Sequence, residues 1–138
     1  MPTTTRAISK TRIKRILMVD DEPDITLILK TALEDSGFFQ VDTFNDAELA
    51  LSVFRPGLYD LALLDIRMPK MSGFQLCRKL RSIDYKIKMC FLTAADFGAY
   101  TDTDSDIIND LGKGCFVAKP VSNEDIIGRL KSILSGTD

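Results

Sequence analysis

A chain of 138 residues is long enough to bury one hydrophobic core, and with 45% apolar and 28% charged residues it has the composition of a soluble globular domain. The formal net charge is −2, but residues 16–138 carry 20 acids and 13 bases, so this part of the chain has a net charge of −7. Such an acidic body argues against a general nucleic-acid-binding surface, and no apolar run is long enough to span a membrane.

A basic segment precedes the first apolar run. Five basic side chains and no acid occur in residues 1–15: Arg6, Lys10, Arg12, Lys14 and Arg15. We expect residues 1–13 to form a flexible, solvated tail, as Thr-rich termini often do, although this basic segment could also contact an anionic partner. Residues 14–138 are predicted to form one folded domain.

The first apolar run, residues 16–19, has the length of a short buried strand and ends at Asp20, Asp21 and Glu22. A helix is predicted next, because Pro23 suits its first turn and Gly37 ends the apolar repeat. The residues predicted for its buried face are Ile25, Ile28, Leu29, Ala32 and Leu33.

Apolar residues within positions 39–44 indicate a second strand. Asn45 followed by Glu48 resembles a capping box, although its first member is usually Ser or Thr. This pattern predicts a short amphipathic helix that Pro56 and Gly57 end.

A third apolar run, residues 61–64, leads directly into Asp65. Because a buried carboxylate is costly without a partner, Asp65 at the end of a core strand requires compensating charge nearby. The following loop, residues 68–73, is predicted to be a turn that shapes this region without taking part in chemistry. It precedes a helix with the buried face Phe74, Cys77 and Leu80.

Two further strands are predicted at residues 87–92 and 115–118, and Thr93 and Lys119 follow them directly. The polar, acidic segment 96–111 between them is predicted to be a mobile loop followed by a short helix. Ser122, with an acid three residues later, opens a last helix. The buried side predicted for this helix consists of Ile126, Ile127, Leu130, Ile133 and Leu134.

Strands that alternate with helices five times predict an α/β fold, a doubly wound parallel sheet with helices on both faces. Ligands of such sheets bind outside the carboxyl ends of the strands. The residues that follow the predicted strands there are Asp20, Asp21, Asp65, Thr93 and Lys119.

These side chains have the composition of a phosphoryl-transfer site. Clustered carboxylates repel one another, so they need positive charge, and an all-oxygen set favours Mg²⁺, with Mn²⁺ as an alternative. A carboxylate can attack phosphorus while a metal ion and an ammonium group neutralise charge on the phosphoryl oxygens.

The motifs MVDDE, LLDIRMPKMSG, LTA and AKP occur in this order at these strand ends, and the sequence resembles the receiver domain of two-component response regulators over residues 14 to about 134. The resemblance implies a flavodoxin-like fold, a five-stranded parallel sheet in the order 2-1-3-4-5. It also implies a module that is switched by phosphorylation and is not an enzyme acting on an external substrate.

The resemblance implies a role for each site residue. Asp65 would be the phosphoacceptor, supplied by a phosphohistidine on a sensor histidine kinase or a histidine phosphotransfer protein. Asp20 and Asp21, with Asp65 and the Arg67 backbone carbonyl, would hold Mg²⁺. Lys119, joined to Pro120 by a cis bond, would pair with the phosphoryl oxygens. The switch residues would be Thr93 and Phe116, with the Phe116 ring rotating inward to change a protein-interaction surface.

Each of these residues also has a plain structural explanation. Asp20 and Asp21 could precede a helix N-terminus, Lys119 could be a surface lysine, and Phe116 could be a core residue. Two other functions stay open: a phosphatase of the haloacid dehalogenase type, disfavoured because Arg67 stands where a second acid is required, and a degenerate receiver that binds partners without phosphorylation. We also hypothesise that Arg67 affects hydrolysis of an aspartyl phosphate.

Cys77, Cys90 and Cys115 form no close-spaced metal motif, and we interpret them as reduced core thiols of a cytoplasmic protein. The expected partners are the phosphodonor and an unknown downstream protein, with no membrane contact and no direct nucleic-acid binding by this domain. A homodimer that depends on phosphorylation is compatible with the sequence. The longer, acidic stretch 93–119 gives no guide to the partner surface, and whether the chain acts alone or within a longer protein stays open.

Overall fold

The computed structural model describes residues 12–94 and 115–136. Five parallel strands form one sheet in the order β2-β1-β3-β4-β5, which confirms the predicted topology. The strands are β1 (Lys14–Val19), β2 (Phe39–Phe44), β3 (Leu61–Asp65), β4 (Lys88–Thr93) and β5 (Phe116–Ala118). The helices among the described residues are α1 (Pro23–Asp35), α2 (Ala47–Val53), α3 (Gly73–Ile83) and α4 (Asn123–Ser135). The predicted tail, apart from Arg12 and Ile13, and the loop and helix expected within residues 96–111 lie outside the described residues.

The sheet buries both of its faces, as a doubly wound fold requires. Leu17, Leu64 and Phe91 face one apolar layer, to which α2 and α3 also contribute. Met18 and Leu63 face the other layer, which includes residues of α1 and α4. All of the β3 side chains are buried, so the chain has little freedom where Asp65 leaves the sheet.

The structure corrects the predicted face of α1. Thr26, Leu29 and Leu33, spaced by three and four residues, form its buried line, whereas the Ile28 side chain is 58% exposed. The spacing of apolar residues placed Ile28 on the buried face, but the helix packs along the line of Thr26, Leu29 and Leu33, which leaves Ile28 exposed.

The start of α2 also differs from the prediction. The N-cap is Asp46, whose Oδ1 accepts hydrogen bonds from the backbone N–H groups of Glu48 (2.8 Å) and Leu49 (3.4 Å). Asn45 instead turns its amide toward the loop between β1 and α1. The helix ends at Val53, three residues before the predicted stop at Pro56.

The last helix begins as predicted, because the Ser122 hydroxyl accepts a hydrogen bond from the Asp125 N–H (3.1 Å). Ile126, Leu130 and Ile133 are buried on this helix, and Ile127 and Leu134 are partly buried. The three cysteines are buried in the core and form no disulfide within the described part of the chain. None of the helices in the described part of the chain is long and apolar enough to cross a membrane.

Candidate functional site

The strand ends meet at one edge of the sheet because neighbouring strands are paired up to their last residues. Asp65 is the partner of Leu92, and Thr93 is the partner of Ala118, the residue before Lys119. The Lys119 N–H donates to the Thr93 carbonyl oxygen (2.8 Å). The edge therefore brings together Asp20 and Asp21, Asp65, Thr93 and Lys119, as the alternation of elements predicted.

Three carboxylates form the centre of the site. Oxygen atoms of Asp20, Asp21 and Asp65 lie within 4.8 Å of one another. Asp20 and Asp65 are buried, whereas Asp21 is partly exposed. Such a group carries up to three negative charges in a partly buried space, so it favours positive charge nearby.

Lys119 supplies positive charge to this cluster. Its Nζ atom lies 2.9 Å from Asp20 Oδ2, 3.4 Å from Asp65 Oδ1 and 3.5 Å from Glu22 Oε1. Burial alone would lower the pKa of Lys119, but the close contact with Asp20 and the charge of Asp65 outweigh it and raise the pKa. The ammonium group is therefore fully charged at neutral pH. The Lys119–Pro120 peptide bond is cis, as the resemblance implied.

Glu22 is a site residue that the sequence argument missed. Its carboxylate reaches Lys119 from the rim of the site, with 62% of the side chain exposed. The available signal was its place in the acidic triplet that ends β1, directly after the two acids assigned to the metal.

Asp65 is harder to ionise than a free aspartate. Its pKa is raised from 3.8 to about 6, mainly by burial and then by the charge of Asp20, although Lys119 partly offsets both. One ammonium group does not neutralise three carboxylates, so the site has residual negative charge.

The donor atoms fit a hard divalent cation. Asp20 Oδ1 accepts a hydrogen bond from the Glu22 N–H (3.0 Å). Asp20 Oδ2 is buried and, apart from its ion pair with Lys119, has no hydrogen bond from any described residue. A carboxylate oxygen can accept more than one partner, so Asp20 Oδ2 could bind Mg²⁺, which prefers carboxylate oxygen, beside the Lys119 ammonium group.

Thr93 and Phe116 lie on the two strands beyond Asp65. Thr93 is 1% exposed at the end of β4. The Phe116 ring is buried, stacks on Phe91 with 5.2 Å between ring centroids, and lies 6.2 Å from Phe74. The inward position of this ring is therefore the one observed.

The loop after β3 and the start of α3 support the backbone of Asp65. Ser72 and Gln75 form a full capping box at the start of α3. A Cβ atom at Gly73 would lie 2.4 Å from the Asp65 carbonyl oxygen, so only glycine fits there. The turn predicted over residues 68–73 thus fixes the backbone beside Asp65. Arg67, two residues after Asp65, lies exposed, and its carbonyl as a metal ligand remains a prediction.

Comparison with known proteins agrees with this geometry. The sequence profile of the response regulator receiver domain matches residues 16–131. The chain is 36% identical over 121 residues to the alkaline phosphatase synthesis transcriptional regulatory protein PhoP of Bacillus subtilis, covering 88% of this chain and 48% of PhoP. It is 35% identical over 125 residues to the probable transcriptional regulator ycf27 of Guillardia theta, covering 91% of this chain and 47% of that protein. The chain thus spans about half the length of these curated relatives.

The solved structures show the same fold. A CheY-like response regulator receiver domain protein from Methanospirillum hungatei aligns with a TM-score of 0.77 and 28% identity, covering 91% of this chain and 97% of that chain. The receiver domain of HemR from Leptospira biflexa aligns with a TM-score of 0.74 and 28% identity, covering 88% of this chain and 94% of that chain. Both of the curated relatives named above are described as transcriptional regulators. The chain belongs to the response regulator receiver domains, the signal-receiving modules of two-component systems.

Proposed function

We propose that this receiver accepts a phosphoryl group on Asp65 from the phosphohistidine of a sensor histidine kinase or a histidine phosphotransfer protein. The observation that carries the proposal is the position of Asp65 between two further carboxylates and the Lys119 ammonium group. A carboxylate nucleophile, a cation-binding cluster and a fixed positive charge are the groups that phosphoryl transfer to aspartate requires.

The proposed transfer starts with ionised Asp65, whose oxygen attacks phosphorus. The N–P bond of the phosphohistidine breaks, and its electron pair stays on the imidazole nitrogen. Lys119 neutralises negative charge on the phosphoryl oxygens. Asp20, Asp21 and Asp65, with the Arg67 carbonyl, would hold Mg²⁺, which when bound supplies further positive charge to the phosphoryl group.

Thr93 and Phe116 would carry the change to the surface. The Thr93 hydroxyl would bond the phosphoryl group from the end of β4. The ring of Phe116 lacks the hydroxyl of a tyrosine, so exposing it gains no hydrogen bond with water, and burial against Phe91 is favoured. Phosphorylation would then select one arrangement of a two-state surface.

The expected partners are the phosphodonor and a downstream protein, met in the cytoplasm and without direct DNA contact by this domain. The chemistry at Asp65 would be self-phosphorylation and its reversal by hydrolysis, without turnover of an external phosphomonoester. The folded unit would extend over residues 14–138, with the preceding residues as a tail.

Incubation with acetyl phosphate and Mg²⁺, followed by intact-mass measurement, tests the proposal. We expect a gain of one phosphoryl group that is lost in Asp65→Ala and in EDTA. Asp60→Ala is the matched control, because this aspartate also lies in the β-sheet region but at the opposite edge, where it accepts a hydrogen bond from the Arg15 N–H. Labelling of Asp65→Ala to the wild-type extent would refute the assignment.

A further inference from the structure

The side chain of Asn45 bonds two atoms of the segment that carries the site acids. Its Nδ2 atom donates to the Asp20 carbonyl oxygen (2.8 Å) and to the Thr26 hydroxyl oxygen (3.2 Å). Thr26, which is 4% exposed, in turn donates its own hydroxyl proton to the Pro23 carbonyl oxygen (2.9 Å). One side-chain amide therefore connects the end of β2 to the start of the loop that follows β1 and to the first turn of α1.

The chemistry of these contacts selects asparagine. The Thr26 proton is used on Pro23, so Thr26 Oγ1 and the Asp20 carbonyl are both acceptors, and an NH₂ group with two protons can serve them together. An ionised aspartate at position 45 has no donor, and serine has only one. Since Asp46 caps α2, helix capping does not account for Asn45.

Both backbone polar groups of Asp20 are hydrogen-bonded, the carbonyl oxygen by the Asn45 side chain and the N–H by the end of β2. The Asp20 N–H donates to the Phe44 carbonyl oxygen (3.1 Å), so residues 44 and 45 together bind both polar groups of the Asp20 backbone. The direction in which the Asp20 carboxylate leaves the backbone is thereby fixed before any cation arrives.

We infer that Asn45 is a positioning residue for the divalent-cation site, holding the loop that carries Asp20 and Asp21 in its binding geometry. The inference rests on the proposed function of the three carboxylates. Outer residues that orient metal ligands typically change affinity by about 10- to 100-fold when removed. Asn45 is exposed, so water can replace part of its hydrogen bonding when the side chain is removed. We therefore expect a loss of metal affinity at the lower end of that range.

The test measures Mn²⁺ affinity directly, from the electron paramagnetic resonance signal of free Mn²⁺, and measures urea unfolding separately in EDTA. Asn45→Ala is expected to weaken Mn²⁺ binding about 10-fold. Thr26→Val, which keeps the shape but removes the acceptor, is expected to weaken it less. The matched control is Asp46→Ala, which removes the neighbouring helix cap, lowers the urea midpoint and leaves Mn²⁺ affinity unchanged.

Unchanged affinity in Asn45→Ala, or an equal loss in Asp46→Ala, would overturn the inference by showing no role or only a general structural one. Failure of the wild-type protein to bind Mn²⁺ would overturn the proposed metal site and the inference with it. That result is distinguishable from the others, because it appears before any variant is compared.

Discussion

Lys119 Nζ lies 3.4 Å from Asp65 Oδ1, although 54 positions separate the two residues along the chain. The sheet order explains this contact. The strand that ends at Asp65 and the strand that leads into Lys119 lie on either side of β4, so their carboxyl ends are close together at the same edge. The ammonium group forms ion pairs with both buried carboxylates of the site, Asp20 and Asp65.

Replacing Lys119 by methionine removes this charge and keeps a side chain of similar length. We expect the rate of phosphorylation by acetyl phosphate to fall about 100-fold, the size of effect seen when one charge-stabilising group is removed. The pKa of Asp65 should also rise, because Lys119 is the group that lowers it. Lys86→Met, at an exposed lysine beside Tyr85, should leave the rate unchanged. Equal rates in wild type and Lys119→Met would contradict the assigned role.

The stability of the metal-free protein should depend on ionisation of Asp65. Its folded pKa of about 6 lies above its ordinary 3.8, so folding favours the protonated acid. This contribution is fully present below pH 3.8 and is lost as the pH rises through about 6. Asp65→Asn should therefore be more stable than wild type at pH 8, by roughly 1–3 kcal/mol, with a smaller difference at pH 4.

Urea unfolding in EDTA at the two pH values measures this difference. If Asp65→Asn is less stable than wild type at pH 8, then burial and the charge of Asp20 do not destabilise ionised Asp65 as proposed. Adding Mg²⁺ should stabilise wild type and have little effect on the variant, because only wild type keeps the third carboxylate.

The close approach of Gly73 to Asp65 predicts opposite effects of alanine at two glycines. In Gly73→Ala the new Cβ meets the Asp65 carbonyl carbon at 3.0 Å and its oxygen at 2.4 Å, so the backbone must shift. We expect a loss of about 1–3 kcal/mol in unfolding free energy and slower phosphorylation. Gly128→Ala, inside α4 with nothing within 4 Å, should gain roughly 0.5–1 kcal/mol and leave phosphorylation unchanged. Thermal unfolding of the two variants makes the comparison, and a stable, fully active Gly73→Ala would contradict it.

Arg67 is predicted to control the lifetime of the phosphorylated state. It is exposed and lies two residues beyond Asp65, close enough along the chain to contact the phosphoryl group or restrict water. We expect the half-life of phosphorylated Asp65, followed by intact mass after removal of the donor, to differ between wild type and Arg67→Ala. Arg55→Ala, at an exposed arginine after α2, is the control. Equal lifetimes in wild type and Arg67→Ala would refute the hypothesis.

The sequence predicted the parts of the site that depend on strand ends. Asp20, Asp65 and Lys119 each follow or end an apolar run, and parallel strands in a doubly wound sheet bring such positions to one edge. The motifs supplied the strand order, which alternation alone does not determine. These parts of the structure are fixed by local pattern and topology together.

The parts that were missed depend on contacts between distant segments. Asn45 and Asp46 are adjacent polar residues that can both cap a helix, and only the neighbouring loop decides that Asn45 bonds to Asp20 instead. Glu22 is likewise an exposed acid by pattern, and its contact exists because Lys119 arrives from a different strand. Ile28 was misplaced because hydrophobicity does not show which side of a helix meets the sheet.

The first turn of α3 lies between the proposed phosphorylation site, Asp65, and the proposed switch residue, Phe116, and packs against both. Gly73 touches the Asp65 backbone, and the next residue, Phe74, packs against Phe116. In a close-packed interior a displacement is passed directly to its neighbours. A backbone shift at Asp65 thus has a route of two consecutive residues to the Phe116 ring, independent of the strand that carries Thr93.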